Sequence, residues 1–166
     1  MQWFKKRWYI MINYTIEKLN INELKDALDV VYKTFMKFEA PEYSKEGIDN
    51  FLKFIDYDSV KEKLAINMEI YVAKVEDKIV GVIGYRDNLH INLLFVLEEY
   101  HYNGIARGLF NFVEEKLKVL GTQKITVNSS PYAYNVYLKF GFTSQLGIKE
   151  VDGIKFYPME KEIKNI

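Results

Sequence analysis

The sequence of 166 residues has the length of one compact domain that can bury a sizeable core. Hydrophobic residues make up 49% of it, and 23 basic residues balance 23 acidic ones, so the formal charge gives no electrostatic case for binding nucleic acid. Cysteine is absent, which excludes disulfides, thiolate metal sites and a cysteine nucleophile. Two histidines are too few for a histidine-rich metal site.

The N-terminal residues have the wrong order for an export signal. Trp3 and Phe4 precede the basic cluster and Asn13 ends the apolar run early, whereas a signal peptide places its basic residues before an apolar stretch. No run approaches the roughly 20 apolar residues that a membrane span needs. We therefore expect a cytoplasmic protein without a membrane partner.

No repeat, low-complexity tract or linker divides the chain, so we expect a single domain over residues 1–166. Residues 1–10 are interpreted as a loosely attached extension, and Met1 and Met11 are both open as the native start.

Apolar spacing predicts the secondary structure in chain order. The first half is expected to hold a strand at Tyr9–Ile16, helices at Asn22–Phe38, Lys45–Ile55 and Asp58–Leu64, and a hairpin of Met68–Val75 with Lys78–Tyr85. The second half is expected to hold a strand at Leu89–Val96, a helix at Gly104–Leu120, a strand at Lys124–Asn128, a helix at Pro131–Phe140, and a hairpin of Phe142–Glu150 with Ile154–Met159, turned at Asp152-Gly153. This order predicts an α/β (α+β) fold, with a mixed, mostly antiparallel sheet of seven strands flanked by helices.

The segment His101–Gly108 follows an apolar run and opens a helix, an order typical of anion-binding turns. A helix start exposes unpaired N–H groups and the positive end of the helix dipole. Gly104, Ala106 and Gly108 leave room for an anion to approach those groups. The segment fits neither the P-loop nor the GxGxxG pattern. It predicts a phosphate or pyrophosphate site, and Gly104 as an ordinary loop glycine is the alternative.

The same segment resembles the acetyl-CoA-binding motif of the GNAT acetyltransferases, the GCN5-related N-acetyltransferase superfamily. That motif has a valine at the end of a strand and, eight residues on, Gly-x-Gly/Ala. Val96, Gly104 and Ala106 match it, while His101 stands where Gln or Arg is usual.

A second GNAT-like motif follows in the right order and separation. The family typically reads Asn-x-x-Ala and then Tyr-x-Lys-x-Gly-Phe. Ser130 takes the Asn position, and the matching residues are Ala133, Tyr137, Lys139, Gly141 and Phe142. The detailed resemblance covers residues 70–160, and the first 65 residues fit the family only in their general layout.

The resemblance implies acetyl-CoA as co-substrate, no metal, and splayed central strands in the sheet. The strand ending at Val96 would separate from Lys124–Asn128 and pair its backbone with the pantetheine arm. The turn would hold the pyrophosphate through backbone N–H groups, with a charged contact from Arg107. The residues expected at acetyl-CoA are Leu94, Phe95, Val96, His101, Tyr102, Asn103, Gly104, Ile105, Ala106, Arg107, Gly108, Ser130 and Lys139.

The expected catalytic residues are Tyr137, His90 and Asn92. In the family the tyrosine matching Tyr137 points at the coenzyme A sulfur, and a phenol can protonate a departing thiolate. Its alternative role is packing of a helix on the sheet. His90 and Asn92 share one strand face with Leu94 and Val96 by period-two alternation. His90 is a candidate base or water holder, with a purely structural histidine as the alternative and an ordered water chain as another route for the proton.

The acceptor is expected between the first two helices and the cleft. The loop there carries the carboxylates of Glu39 and Glu42 and the ring of Tyr43, which suit a cationic amine by charge and cation–π attraction. A solvated loop without a ligand is the alternative.

The predicted function is transfer of an acetyl group from acetyl-CoA to a primary amine of an unidentified small molecule or peptide. The amine would attack directly in a ternary complex, in a monomer or a homodimer. Two alternatives stay open: a non-catalytic acyl-CoA sensor on the same fold, and a protein-interaction module.

Overall fold

A computed structural model describes residues 12–164 of the chain. Its helices are α1 (Leu24–Phe38), α2 (Lys45–Phe54), α3 (Tyr57–Ile66), α4 (Ile105–Val119) and α5 (Tyr134–Lys139). Its strands are β1 (Thr15–Lys18), β2 (Met68–Val75), β3 (Lys78–Arg86), β4 (His90–Val96), β5 (Lys124–Ser129), β6 (Lys149–Val151) and β7 (Ile154–Glu162). The strands form one sheet in the order β1-β2-β3-β4-β5-β7-β6, which confirms the expected fold class.

The helices pack on this sheet through apolar faces that recur every three or four residues. In α4, Leu109, Val113 and Leu117 lie one helical turn apart, and all three are fully buried. α4 packs on β2, β3 and β4, and α1 packs on β3 and β4. Within residues 12–164 no helix has both the length and the apolar character that crossing a membrane requires.

The sheet is antiparallel except between β4 and β5, and these two strands pair only over the first two residues of β4. The parallel pairs are His90 with Thr126 and Ile91 with Val127. The rest of β4 stays paired with β3 along its other edge, as far as Val96 opposite Gly81. The β5-facing edge of residues 92–96 therefore has no strand partner within the described chain. This break is the splay that the resemblance implied.

Helix α2 touches the tip of the β6–β7 hairpin. A Cβ added to Gly47 would collide with the backbone oxygen of Gly153. The Asn50 side chain donates a hydrogen bond of 2.9 Å to the carbonyl of Asp152, at the same turn. The absence of a side chain at Gly47 thus allows the hairpin to lie against the helix, over the space beside the break.

The structure differs from the expected elements at three places. β1 begins at Thr15, and the first residues of the expected strand, 9–11, lie outside the described residues, as does the expected extension of residues 1–10. The helix expected from Pro131 begins at Tyr134, because the Ser130 hydroxyl accepts the N–H of Ala133 and residues 131–133 form a turn.

The strand expected at Phe142–Glu150 is wrong for most of its length. Thr143 makes one isolated bridge to Glu160, Gly147 has a φ of 67°, and regular pairing resumes only at β6. The turn expected at Asp152-Gly153 is confirmed, with both residues at positive φ.

Candidate active site

Two pockets flank the break between β4 and β5. The first, called the hairpin pocket, has a volume of about 440 Å³ and lies between α2, the two strands and the β6–β7 hairpin. Its lining residues are Glu39, Tyr43, Asn50, Phe51, Phe54, His90, Ile91, Asn92, Leu94, Phe95, Val127, Asn128, Ser129, Ser130, Ala133, Tyr137, Val151, Asp152, Ile154 and Phe156. Both its size and its mostly apolar lining are typical of small-molecule sites.

The second, called the turn pocket, has a volume of about 380 Å³ and lies between the end of β4, the start of α4 and α5. Its lining residues are Thr34, Phe38, Glu39, Leu94, Phe95, Val96, Tyr100, His101, Tyr102, Gly104, Ile105, Ala106, Arg107, Tyr132, Ala133, Val136, Tyr137, Lys139 and Phe140.

The two pockets meet at the break. The residues that line both are Glu39, Leu94, Phe95, Ala133 and Tyr137. Two ligands, one in each pocket, could therefore place reacting atoms next to each other beside a carboxyl group and a phenol.

The turn at Gly104 presents open backbone to the turn pocket. Gly104 has a φ of 75°, a conformation that favours glycine, and a Cβ built there would meet no atom within 4 Å. It immediately precedes Ile105, the first residue of the 15-residue helix α4. The N–H groups of that first turn have no partners within the helix, so they can receive an anion.

Charged side chains in the turn pocket are suited to the same anion. Arg107 and Lys139 both line it, and Arg107 lies over the ring of Phe140, with its guanidinium carbon 5.2 Å from the ring centroid. Tyr102, at a φ of 64°, is fully exposed at the mouth.

Three of the residues expected at acetyl-CoA make close contacts within the protein. His101 Nε2 is 2.6 Å from the carbonyl oxygen of Val96, so that nitrogen carries the proton and holds the end of β4. Asn103 does not line the pocket and donates to the carbonyls of Tyr100 and His101. Gly108 does not line it either, and any side chain there would collide with the Tyr14 hydroxyl.

Glu39 lies where α1 ends, and its carboxyl faces both pockets. The Ser130 hydroxyl donates a hydrogen bond of 2.9 Å to its Oε1. Burial raises the pKa of Glu39 to about 7, the Ser130 hydrogen bond opposes the rise, and the nearby charge of Glu42 adds to it. This carboxyl therefore exchanges its proton near neutral pH, as a general base must.

Tyr137 packs its ring edge-on against Phe142 and Phe140. It is 4% exposed, yet it lines both pockets. Burial, and then the charge of Glu39, raise the pKa of its phenol well above the ordinary value. The group therefore stays protonated at neutral pH and is available as a proton donor.

His90 and Asn92 line the hairpin pocket from β4, on the same strand face as Leu94. His90 Nδ1 lies 2.7 Å from the Thr126 hydroxyl. Burial, assisted by the charge of Arg86, lowers the pKa of His90 to about 4. The ring is neutral at pH 7 and a weak base.

The Oδ1 atom of Asn92 is buried and has no hydrogen-bond partner in residues 12–164. A Cβ at Gly84 would come within 2.9 Å of this oxygen, so a glycine is what leaves space for the amide. A buried acceptor without a partner costs about 1–3 kcal/mol.

Of the three loop residues expected at the acceptor, Glu39, Glu42 and Tyr43, two line the hairpin pocket and one does not. Tyr43 lines the hairpin pocket beside Glu39, and burial followed by the two neighbouring carboxylates raises the pKa of its phenol. Glu42 is exposed and lines neither pocket, so it acts on the site only through its charge. Ser130, expected at acetyl-CoA, lines the hairpin pocket instead and holds Glu39.

The aromatic wall of the hairpin pocket was not foreseen from the sequence. Phe51 and Phe54 lie on α2, where the sequence pattern predicts only a helix, and both line the pocket. Phe156 and Asp152 line it from the hairpin. The signal was the Asp152-Gly153 turn together with Gly47, whose missing side chain brings the turn to α2.

Among the described residues, no three His, Cys, Asp or Glu side chains come together as metal ligands.

Comparison with known proteins places this arrangement in a family. The family model described as an acetyltransferase (GNAT) domain matches residues 39–163. A GCN5-related N-acetyltransferase from Rhodopseudomonas palustris is 17% identical, with a TM-score of 0.81 over 93% of this chain and 98% of that chain. The PaiA N-acetyltransferase from Thermoplasma acidophilum, solved with coenzyme A, is 20% identical, with a TM-score of 0.76 over 91% and 99% of the two chains.

The ribosomal-protein-S18-alanine N-acetyltransferase from Escherichia coli is 14% identical, with a TM-score of 0.67 over 93% of this chain and 96% of that chain. At these identities the structural likeness shows the fold alone, and no curated protein matches the sequence significantly. Because the family match spans residues 39–163, and so includes α2, the sheet break, the Gly104 turn and Tyr137, the chain belongs to the GNAT family of acetyltransferases.

Proposed function

We propose that this protein transfers an acetyl group from acetyl-CoA to a primary amine of a small molecule or peptide, by direct attack in a ternary complex. The observation that carries this proposal is the junction of the two pockets at the break between β4 and β5. A donor in the turn pocket and an acceptor in the hairpin pocket would meet there, and such proximity supplies a large part of the rate enhancement in group transfer.

Several features of the turn pocket are suited to acetyl-CoA. The free β4 edge at Leu94–Val96 can pair with the pantetheine arm like an added strand. The open backbone at Gly104 and the start of α4 suit the pyrophosphate, and Arg107 and Lys139 add positive charge. His101 supports this site by holding the carbonyl of Val96 rather than by reaching the phosphates.

Tyr137 is proposed as the general acid. Transfer of the acetyl group leaves a thiolate, which is a better leaving group when it is protonated as it departs. Tyr137 lines both pockets and its phenol stays protonated, so it can donate to the sulfur. A residue needed only for packing would not have to face the junction.

His90 and Asn92 are proposed to position the amine or a bound water. A neutral His90, tied to Thr126 through Nδ1, leaves Nε2 to hold a ligand by a hydrogen bond. Its lowered pKa favours this positioning role over proton abstraction. Asn92 lies one step along the same face of β4 and lines the same pocket.

The test is a two-part binding and turnover experiment. Calorimetry with acetyl-CoA measures the donor site, and thiol release from acetyl-CoA across a panel of primary amines measures transfer. We expect binding and amine-dependent release. Binding without release from any amine would instead support a non-catalytic acyl-CoA sensor, and no binding would contradict the proposal.

A further inference from the structure

The lining of the hairpin pocket is rich in aromatic rings. Six contribute to it: Tyr43, Phe51, Phe54, Phe95, Tyr137 and Phe156. The centroid of the Phe51 ring lies 6.2 Å from that of Phe54 and 6.0 Å from that of Phe95, so α2 and β4 share one continuous aromatic surface. Rings at such distances receive a flat apolar body by edge-on or offset stacking.

The charges of this pocket have one sign. Glu39 and Asp152 are its carboxylates, and no lysine or arginine within residues 12–164 lines it. Glu39 lies at the inner end, where the pockets meet, whereas Asp152 is exposed at the hairpin tip. The pocket thus offers one carboxyl group beside the reaction centre and six aromatic rings along its walls.

From these observations we infer that the acceptor is a singly charged arylalkylamine, whose ammonium group Glu39 binds and whose proton Glu39 accepts. This inference rests on the proposed N-acetyltransferase function and names the substrate class and the base for it. The ring of the acceptor lies along the Phe51 surface, and its nitrogen lies at the junction facing the thioester.

Two protons leave the nitrogen during the reaction, and each goes to a different group. An ammonium proton passes to a carboxylate oxygen of Glu39, and the free electron pair of nitrogen then forms the N–C bond to the thioester carbon. The C–S bond breaks, and the sulfur leaves with the bonding pair. The proton that Tyr137 gives to the sulfur is replaced by the second proton lost from nitrogen. The products are the amide, coenzyme A as thiol, and a proton released from Glu39 to water.

Glu39 is a stronger base than His90 in this structure. The pKa of Glu39 is raised to about 7 and that of His90 is lowered to about 4, so His90 holds a proton far less readily. The hydrogen bond from Ser130 fixes the Glu39 carboxyl at the junction. The titratable groups around Glu39 are Glu42 and Tyr43 from the loop after α1, His90 from β4, and Tyr132 and Tyr137 from the α5 region.

The first arm of the test compares acceptors of different charge. The probes are phenylethylamine, the aliphatic dication putrescine, and the polycation kanamycin, each with acetyl-CoA and thiol release as the readout. We expect kcat/KM for phenylethylamine to exceed that for either of the others on the order of 100-fold, since a second ammonium group would lie among the rings, and the other carboxylate of the pocket, Asp152, is exposed at the hairpin tip. Equal or better use of putrescine or kanamycin would overturn the inference.

The second arm tests Glu39 as the base. Glu39→Gln keeps the side-chain shape and should lower kcat/KM for phenylethylamine by roughly 10²–10⁴-fold. In the profile of kcat/KM against pH, the fall on the acid side near neutral pH (the acid limb) should disappear. The loss should shrink with β,β-difluorophenylethylamine, because its more acidic ammonium group needs less help. A loss equal for both amines, with the acid limb retained, would show that Glu39 does not take the proton. The matched control is Glu46→Gln, an exposed position on α2 outside the pocket, which we expect to change kcat/KM by no more than a factor of about two.

Calorimetry separates failure of this inference from failure of the proposed function. Acetyl-CoA binding to the wild type and to Glu39→Gln, with transfer to a different class of amine, would leave the proposed function intact and contradict the inference. Absence of acetyl-CoA binding to the wild type would contradict both.

Discussion

The Ser130 hydroxyl donates a hydrogen bond to Glu39 Oε1 over 2.9 Å and thereby joins the end of β5 to the end of α1 across the sheet break. This bond stabilises the charged form of Glu39, while burial and the charge of Glu42 favour the neutral form. The balance of these three influences sets the pH at which the carboxyl gains and loses its proton.

Removing Ser130 and removing Glu42 should shift the acid limb of the pH–rate profile in opposite directions. Ser130→Ala removes the influence that lowers the pKa of Glu39, so we expect the limb to shift upward from about 7 by about one pH unit. Glu42→Gln removes a charge that raises the pKa of Glu39, so we expect the limb to shift downward by a smaller amount. The measurement is kcat/KM against pH for each variant, and a limb that stays in place in both would show that Glu39 does not control it.

Replacing Glu39 should also change how stability depends on pH. The pKa of Glu39 in the folded protein, about 7, lies above its ordinary value of 4.5, so its protonated form stabilises the fold. That contribution is complete below the unfolded pKa and is lost as pH rises through 7. Relative to wild type, Glu39→Gln should therefore gain about 2 kcal/mol in the free energy of unfolding between about pH 5 and pH 8. Urea titrations at both pH values measure this difference, and an unchanged difference would contradict the raised pKa.

Tyr137→Phe should separate chemistry from packing. The ring keeps its contacts with Phe140 and Phe142 and loses only the hydroxyl. We expect turnover to fall by roughly 10²–10⁴-fold, as for the loss of a positioned acid, while acetyl-CoA affinity and melting temperature change little. The fall should be smaller for a thioester with a more acidic leaving thiol. Near-normal turnover in a chemistry-limited assay would leave Tyr137 with a packing role.

Two substitutions at Gly104 should test the pyrophosphate site. Gly104→Ala and Gly104→Glu both place a side chain at a φ of 75°, so both strain the backbone in the same way. Only the glutamate adds bulk and negative charge where the anion is expected. We predict that acetyl-CoA affinity falls roughly 100-fold further in the glutamate variant. Equal affinities in calorimetry would place the phosphates elsewhere.

Gly47→Ala should affect the acceptor and leave the donor unchanged. The added methyl group meets the backbone of Gly153, so the hairpin tip must move away from α2 and widen the hairpin pocket. We expect the KM for the amine to rise about tenfold, with acetyl-CoA affinity unchanged because the turn pocket lies elsewhere. The control is Asp49→Ala, an exposed position on the same helix outside both pockets. An unchanged KM would mean that the hairpin does not shape the acceptor site.

The sequence predicts the parts of the fold that depend on local pattern. Apolar periodicity indicates α4 and most of the sheet, and Asp152-Gly153 indicates the last turn, because spacing and turn chemistry act over a few residues. The segment after Phe142 does not form the expected strand, because only Thr143 finds a partner before β6. Alternation alone could not show that missing partner.

The sequence predicts only those residues of the candidate site that belong to a family motif. Gly104 and Tyr137 were found through their motifs, and the structure brings them to one pocket. The pairing of Glu39 with Ser130 joins residues 91 positions apart, and the raised pKa depends on burial by the whole fold. The sequence shows that Ser130 stands where the family has Asn, but it does not show that Ser130 bonds to Glu39.

The most direct measurement is two-substrate kinetics of thiol release with the concentrations of acetyl-CoA and phenylethylamine both varied. Direct attack at the junction of the two pockets requires both ligands to be bound together. We therefore predict intersecting double-reciprocal lines and one acetylated amine formed for each thiol released. Acetyl-CoA binding without thiol release in the presence of phenylethylamine would contradict the inferred acceptor class, and parallel lines from an acetylated protein intermediate would contradict direct transfer at this site.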